Sequence, residues 1–194
     1  MIPGNVIMKK RKTITAALTA AIVKTGVDFV VYDELTTVDF GEIIIDGIPR
    51  KAENSVRIMS FNVRYCDDKQ GSVKNRSKIV SAIIEQYAPD SFGVQEATGK
   101  WLDILDETLG EKYAYVGEAR DEKGYDSEYS AVFYLKDRYD LIDQGTIWLS
   151  ETPEVKYSKS FDSICHRVAT WAVLKNKETG EGYTHLNTHL DHVL

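Results

Sequence analysis

A chain of 194 residues with 43% hydrophobic content can bury one good core, so one domain carrying an N-terminal extension is the default reading. A formal net charge of −6 argues against broad electrostatic capture of duplex DNA, which needs a cationic face, but not against phosphate chemistry, because a bound divalent cation supplies positive charge locally. No apolar run is long enough to span a membrane, and the two cysteines, Cys66 and Cys165, fit neither a zinc pattern nor a disulfide framework and read as interior thiols.

Residues 8–12, M-K-K-R-K, precede the apolar run T-I-T-A-A-L-T-A-A-I-V at 13–23, the charge-then-apolar order of an export signal. The apolar part is short, threonine-rich and closed by Lys24, so an ordinary amphipathic helix is the competing reading. Lys24 tips the balance towards cytoplasm over secretion or a membrane anchor. D-F-V-V-Y-D at 28–33 and E-I-I-I-D-G-I-P at 42–49 then read as short strands. The polar stretch R-K-A-E-N-S at 50–55 places a boundary there, dividing an extension of unassigned role, 1–55, from a domain at 56–194.

V-R-I-M-S-F-N at 56–62 is a strand pattern whose far end delivers a polar Asn62, and S-F-G-V-Q at 91–95 is a short buried-strand pattern that ends in Glu96. Between them, 75–87 is helical: Ile79, Ile83, Ile84 and Tyr87 fall near one face, Lys78, Ser81 and Glu85 elsewhere, and Pro89 stops the run. A strand–helix–strand crossover makes the strands parallel and brings their carboxyl ends to one edge, so Asn62 and Glu96 can meet. A second helix is predicted over 98–109, with Trp101, Leu105 and Leu109 in register and Gly110 as its C-terminal cap. Strand patterns at 112–117, 129–135 and 138–149 predict an antiparallel meander, turning at 136–137. Residues 167–174 and 183–190 predict a further pair, joined through the turn-rich N-K-E-T-G-E-G.

The ordered set S-F-N-V-R, Q-E, Y-S-A-V-F-Y, G-T-I-W-L-S-E-T-P and N-T-H-L-D-H resembles the endonuclease/exonuclease/phosphatase superfamily, the deoxyribonuclease I-like metal-dependent phosphoesterases, over roughly residues 55–194. The resemblance implies an α/β fold, a two-sheet sandwich with outer helices, incomplete at the C-terminus because the family's G-D-F-N and S-D-H segments do not occur before Leu194. It also implies hydrolysis of a phosphodiester or phosphomonoester by in-line attack of water, with Mg2+ or Mn2+ as cofactor.

Residue by residue, the resemblance makes Glu96 the metal ligand and Asn62 its companion amide, orienting the metal shell or the phosphate. On the residues alone, Glu96 reads as a surface glutamate and Asn62 as a turn asparagine. In a strand, Asn187, His189 and Asp191 share one face, an unusual set for an apolar core. The resemblance makes His189 a phosphate contact and general acid or transition-state stabiliser, and Asn187, on the same face, joins it in the catalytic set. His185 reads as structural, and the role of His192 stays open. Glu128 matches the carboxylate that holds the catalytic histidine, a sensible acid/base pair, although its acidic neighbourhood equally fits a solvated loop. Arg167 matches an arginine that grips substrate phosphate, and its bland alternative is a surface strand arginine. Trp148, Trp171 and Tyr134 read as core.

The implied partners are a phosphorylated small molecule or single-stranded nucleic acid. The motifs missing before Leu194 favour two further expectations: impaired catalysis by this chain, and self-association through an uncovered sheet edge. A non-catalytic phosphate-ligand binding or scaffold protein on the same fold is the alternative from a different class.

Overall fold

The computed structural model describes residues 47–52, 55–67 and 72–191 with their side chains and, before them, the backbone of five short strands. Those are β1 (Val6–Met8), β2 (Ala17–Thr19), β3 (Ile22–Val23), β4 (Val27–Glu34) and β5 (Ile43–Ile45). β4 and β5 fall where the alternation predicts strands. The signal-like segment at 8–25 lies largely outside the described residues, and its described pieces, the end of β1 with β2 and β3, are extended rather than helical.

After them the chain runs β6 (Val56–Asn62), α1 (Val73–Tyr87), β7 (Ser91–Gln95), β8 (Ala97–Thr98), α2 (Gly99–Leu109), β9 (Tyr113–Val116), β10 (Glu128–Tyr129), β11 (Val132–Leu135), β12 (Tyr139–Trp148), β13 (Val168–Asn176) and β14 (Gly182–Thr188). A seven-stranded sheet takes the order β2-β4-β6-β7-β11-β9, with β3 also on β4, and a three-stranded sheet the order β12-β13-β14. β6 and β7 are parallel neighbours, with Asn62 opposite Gln95, as the crossover through α1 requires. β4 lies parallel on the other side of β6.

Helix α1 starts at Ser72, whose side chain accepts from the Asn75 N–H, and stops at Ala88 in the left-handed conformation just before Pro89. Its buried face carries Ile79, Ile83, Ile84 and Tyr87 as predicted, and adds Ser81, which meets Thr108 of α2 at 3.0 Å. Both helices cover one face of the large sheet. There Met59 and Phe61 of β6, Phe92 and Val94 of β7, and Phe133 of β11 pack with Trp101, Leu105 and Leu109. Phe92 and Phe133 stack with centroids 4.6 Å apart.

The other face of the large sheet meets the small one, giving the two-sheet α/β sandwich with helices outside. Part of this interface is apolar, with Val132 and Tyr134 against Ala172 and Leu174. The rest is a polar seam. Residues of β14 two apart, Tyr183, His185 and Asn187, face Ser91, Gly93 and Gln95 of β7, as alternation on both strands demands. Tyr183 Oη donates to Ser91 Oγ at 3.0 Å, Ser91 Oγ meets His185 Nδ1 at 2.7 Å, and Gln95 Nε2 donates to Asn187 Oδ1 at 2.6 Å. Asn187 Nδ2 in turn donates to the Val94 and Ala131 carbonyls at 2.8 and 2.9 Å.

Glycine at 93 permits this contact, since a Cβ there would sit 2.5 Å from Asn187 Cγ. Gly93→Ala is therefore expected to cost about 1–3 kcal/mol in urea unfolding, as overpacking of a close-packed interior does. An unchanged midpoint would show that Asn187 can swing aside freely.

One prediction is corrected. The strands at 112–117, 129–135 and 138–149 do not form a single meander: β11 pairs with β9 and β7 in the large sheet, whereas β12 pairs with β13 along its length in the small sheet. The turn at 136–137 is a corner between layers. β7 already occupies the edge of β11 that a continuing hairpin would use, so the chain must leave the sheet.

Candidate active site

The cleft lies at the carboxyl ends of β6 and β7. Asn62 is the last residue of β6, and its Oδ1 accepts the Arg64 N–H at 3.0 Å, closing a local turn in which Arg64 takes a φ of 61°. Two side chains clamp that turn: Arg76 of α1 donates to the Arg64 and Cys66 carbonyls at 2.8 and 2.6 Å, and Trp101 Nε1 donates to the Arg64 carbonyl at 3.0 Å. The helices thus fix the site-bearing loop as well as the core. Cys66 and Cys165 are free thiols, both half-buried.

Glu96 follows β7 with a φ of 59°, a conformation uncommon for a residue with a side chain and found where the surroundings enforce it. The turn aims its carboxylate back across the strand ends. Asn62 Nδ2 donates to Glu96 Oε1 at 2.8 Å, and the Tyr65 N–H donates to Oε2 at 3.2 Å. The structure brings together the two strand-end residues that the crossover argument pairs.

Glu128, on β10, enters from the neighbouring β8–β10 ladder, where it lies opposite Thr98. Arg120 Nη2 donates to Glu128 Oε1 at 2.8 Å, both side chains being about six-sevenths buried at 15% and 14% exposure. Burial holds the Glu128 carboxyl above the usual carboxylate range; Arg120 opposes that shift, and the Glu96 charge adds to it. Glu96 and Glu128 line the same cleft, so two carboxylates share this end of the sheet. Arg120 is the residue the sequence reading missed. It stands in a charged stretch that resembles a solvated loop, but Trp148 Nε1 holds its carbonyl at 2.8 Å and its Nε is buried without a hydrogen-bond partner among the described residues.

From the small sheet come Arg167, immediately before β13, and His189, immediately after β14. Together with Glu96, Arg120, Glu128, Ser130 and His166 they line one cleft. Arg167 Nη1 lies 3.3 Å from His189 Nδ1, and Arg167 Nη2 lies 3.5 Å from Asp191 Oδ1. Asn187 sits apart from this group, buried in the seam beneath the cleft, where its amide contacts Val94 of β7 and Ala131 just before β11. His185 is also in the seam, and His192 lies outside the described residues.

No group of three or more His, Cys, Asp or Glu side chains among the described residues forms a ready metal cage. The residues present still suit a hard divalent cation of the Mg2+ kind. Glu96 offers carboxylate oxygens that the Asn62 amide holds in place through Nδ2, Glu128 lines the same cleft, and such ions are commonly held by one or two carboxylates, with water and substrate phosphate completing the shell.

No family model and no curated protein matches the chain. Solved structures do. An endonuclease/exonuclease/phosphatase protein of Bacteroides vulgatus is 35% identical, with a TM-score of 0.65 over 69% of this chain and 52% of that one. A mannosyl-6-phosphatase of Bacteroides thetaiotaomicron is 32% identical, with a TM-score of 0.67 over 72% and 53%. The catalytic domain of human nocturnin with bound sulfate, 20% identical with a TM-score of 0.56 over 70% and 50%, shares the fold. The chain spans about half the length of each.

A two-sheet α/β sandwich that gathers an amide, carboxylates, arginines and a histidine at the strand ends defines the class. The chain belongs to the endonuclease/exonuclease/phosphatase superfamily.

Among the described residues, no helix is long and apolar enough to cross a membrane.

Proposed function

We propose that this chain contributes to metal-dependent hydrolysis of a phosphate ester by in-line attack of water, with a phosphorylated sugar or similar small-molecule monoester as the favoured substrate class. The observation that carries the reading is the cleft itself. A carboxylate turned out of its strand by a left-handed residue and bonded to Asn62 stands beside Glu128, Arg120, Arg167 and His189. The choice of a small substrate rests on the relative that is a mannosyl-6-phosphatase and on the net charge of −6, which disfavours long polyanions.

In this reading Glu96 and Asn62 hold the ion, and Arg167 and Arg120 face the phosphoryl oxygens with fixed forks of donors. His189 contacts the phosphate and donates the proton, its Nδ1 facing Arg167, while Glu128, bonded to Arg120, holds that guanidinium at the cleft. A bound Mg2+ or Mn2+ would neutralise charge on those same oxygens.

The test is ion binding by titration calorimetry or manganese relaxation, together with magnesium-dependent release of phosphate from mannose 6-phosphate. Binding should be weak, because Glu96 and Asn62 supply few ligands, and it should be lost in Glu96→Ala. Where hydrolysis is measurable, His189→Ala should lower it by about 10²–10⁴-fold, the usual contribution of acid–base catalysis. Submicromolar affinity that survives Glu96→Ala would overturn the metal assignment. Phosphate release unaffected by His189→Ala would overturn the catalytic one.

A further inference from the structure

We propose that Asp191 is a positioning residue which, acting through Arg167, fixes the tautomer of His189 so that the imidazole presents an Nε2–H donor to bound phosphate. The inference rests on the phosphate-ester reading for the identity of the ligand, whereas the tautomer is a property of the chain alone.

β14 ends at Thr188, and the chain beyond it leaves the ladder. Asp191 nevertheless has a fixed place. Its Oδ2 accepts the Ile164 N–H at 2.9 Å and the Ser163 hydroxyl, tying the end of the β12–β13 connection to the segment after β14. Its Oδ1 lies 3.5 Å from Arg167 Nη2, in a pair whose side chains are only 7% and 14% exposed, where solvent screens little. One carboxylate therefore anchors a loop with one oxygen and orients a guanidinium with the other.

The orientation has a chemical consequence at His189. Arg167 Nη1 lies 3.3 Å from His189 Nδ1, and a guanidinium has donors only and does not lose its charge. Nδ1 must then be the acceptor, and the ring proton of neutral His189 sits on Nε2. Protonating Nδ1 would set N–H against N–H and one positive charge against another. A histidine held instead through Nδ1–H by a carboxylate would offer a bare Nε2, a proton acceptor. Here Glu128 is engaged by Arg120, and the contact at His189 Nδ1 comes from Arg167. The imidazole therefore enters the cleft as a donor, suited to a phosphoryl oxygen or a leaving-group oxygen.

Long-range proton–nitrogen correlation spectra of the 15N-labelled chain near pH 8 read the tautomer directly. The wild type should show His189 with a protonated Nε2 and a bare Nδ1 whose resonance is displaced by the guanidinium. Asp191→Ala should return Nδ1 towards its free-imidazole position and speed hydrogen exchange at the Ile164 amide by about tenfold or more, as loss of a protecting hydrogen bond does. Arg167→Gln should abolish the Nδ1 displacement while leaving Ile164 protected, which separates the relay from the loop anchor without using the Asp191 variant. An Nδ1–H tautomer in the wild type, or an Nδ1 resonance indifferent to both substitutions, overturns the proposal. Added inorganic phosphate should move the Nε2 resonance. If it does not while the tautomer is as described, the phosphate reading falls and the positioning role of Asp191 stands.

Discussion

Asp90→Ala should unfold with a stability loss of about 3–5 kcal/mol, the cost of breaking a buried charge network by removing one partner. Asp90 directly precedes β7, and its side chain is fully buried. Its Oδ2 accepts the Arg57 N–H of β6 at 2.7 Å and pairs with Lys51, while its Oδ1 accepts the Tyr139 hydroxyl at 3.0 Å and pairs with Arg138 Nη1 at 2.9 Å. Its main chain continues the pattern, donating to the Arg57 carbonyl at 2.8 Å and accepting the Leu135 N–H at 3.0 Å. One residue thus joins the segment before β6, the large sheet, and the corner where the chain passes from β11 to β12.

Lys51 and Arg138 are partly exposed and can rehydrate when the carboxylate is removed, but the Arg57 N–H and the Tyr139 hydroxyl are buried and cannot. Tyr139 remains a donor throughout, since burial and then the Asp90 charge push its phenol up to about 12. Urea denaturation should show the midpoint falling with little change in slope. Asp90→Asn keeps the volume and one acceptor, so it should fall between the two. A midpoint within about 0.5 kcal/mol of wild type for Asp90→Ala, the range of an ordinary surface change, would show that the network contributes no net stability.

The crossover β6–α1–β7 was legible in the sequence because each step is local. Apolar runs mark the strands, a 3.6-residue stripe marks the helix, and handedness fixes the pairing, so Asn62 and Glu96 meet without any knowledge of the second sheet. The departure of β12 from the large sheet was not legible. Alternation at 138–149 is the same whether β12 extends a meander or turns a corner, and the choice is made by β7 occupying the edge of β11. Asp90 gave no signal either, since an aspartate after a proline reads as a turn residue and its partners lie far along the chain.

The cleft divides in the same way. Glu96 is visible as a polar residue closing an apolar strand, but Arg120 becomes a site residue only through β10 and Trp148, which bury it beside Glu128. Asn187 and His189 look equivalent by strand parity. The ladder ends at Thr188, so Asn187 is committed to the seam while His189 lies beyond the last paired residue and reaches the cleft.

His185 should make the protein lose stability on mild acidification. It is buried between the sheets, and burial alone pushes its imidazole down to about 4 from an ordinary value of 6.5. Its neighbours on β7 and β14 bring no negative charge to offset that burial: Ser91 Oγ meets His185 Nδ1 at 2.7 Å and accepts the Tyr183 hydroxyl at 3.0 Å, and both side chains are neutral. Above pH 6.5 folded and unfolded chains both carry a neutral His185, so the group contributes no pH dependence. Between 6.5 and about 4 the unfolded chain binds a proton that the folded chain refuses, so stability falls as pH falls through that window and the loss is complete below it. At pH 4.5 the loss should be about 2–3 kcal/mol, from the usual 1.36 kcal/mol per pKa unit. His185→Gln offers Ser91 a neutral acceptor and has no proton to take up. Urea midpoints at pH 7.5 and 4.5 should therefore fall further for wild type than for the glutamine variant, the carboxylates that titrate in the same range being common to both. Equal losses in the two proteins would mean that the folded interior accommodates a charged His185 after all.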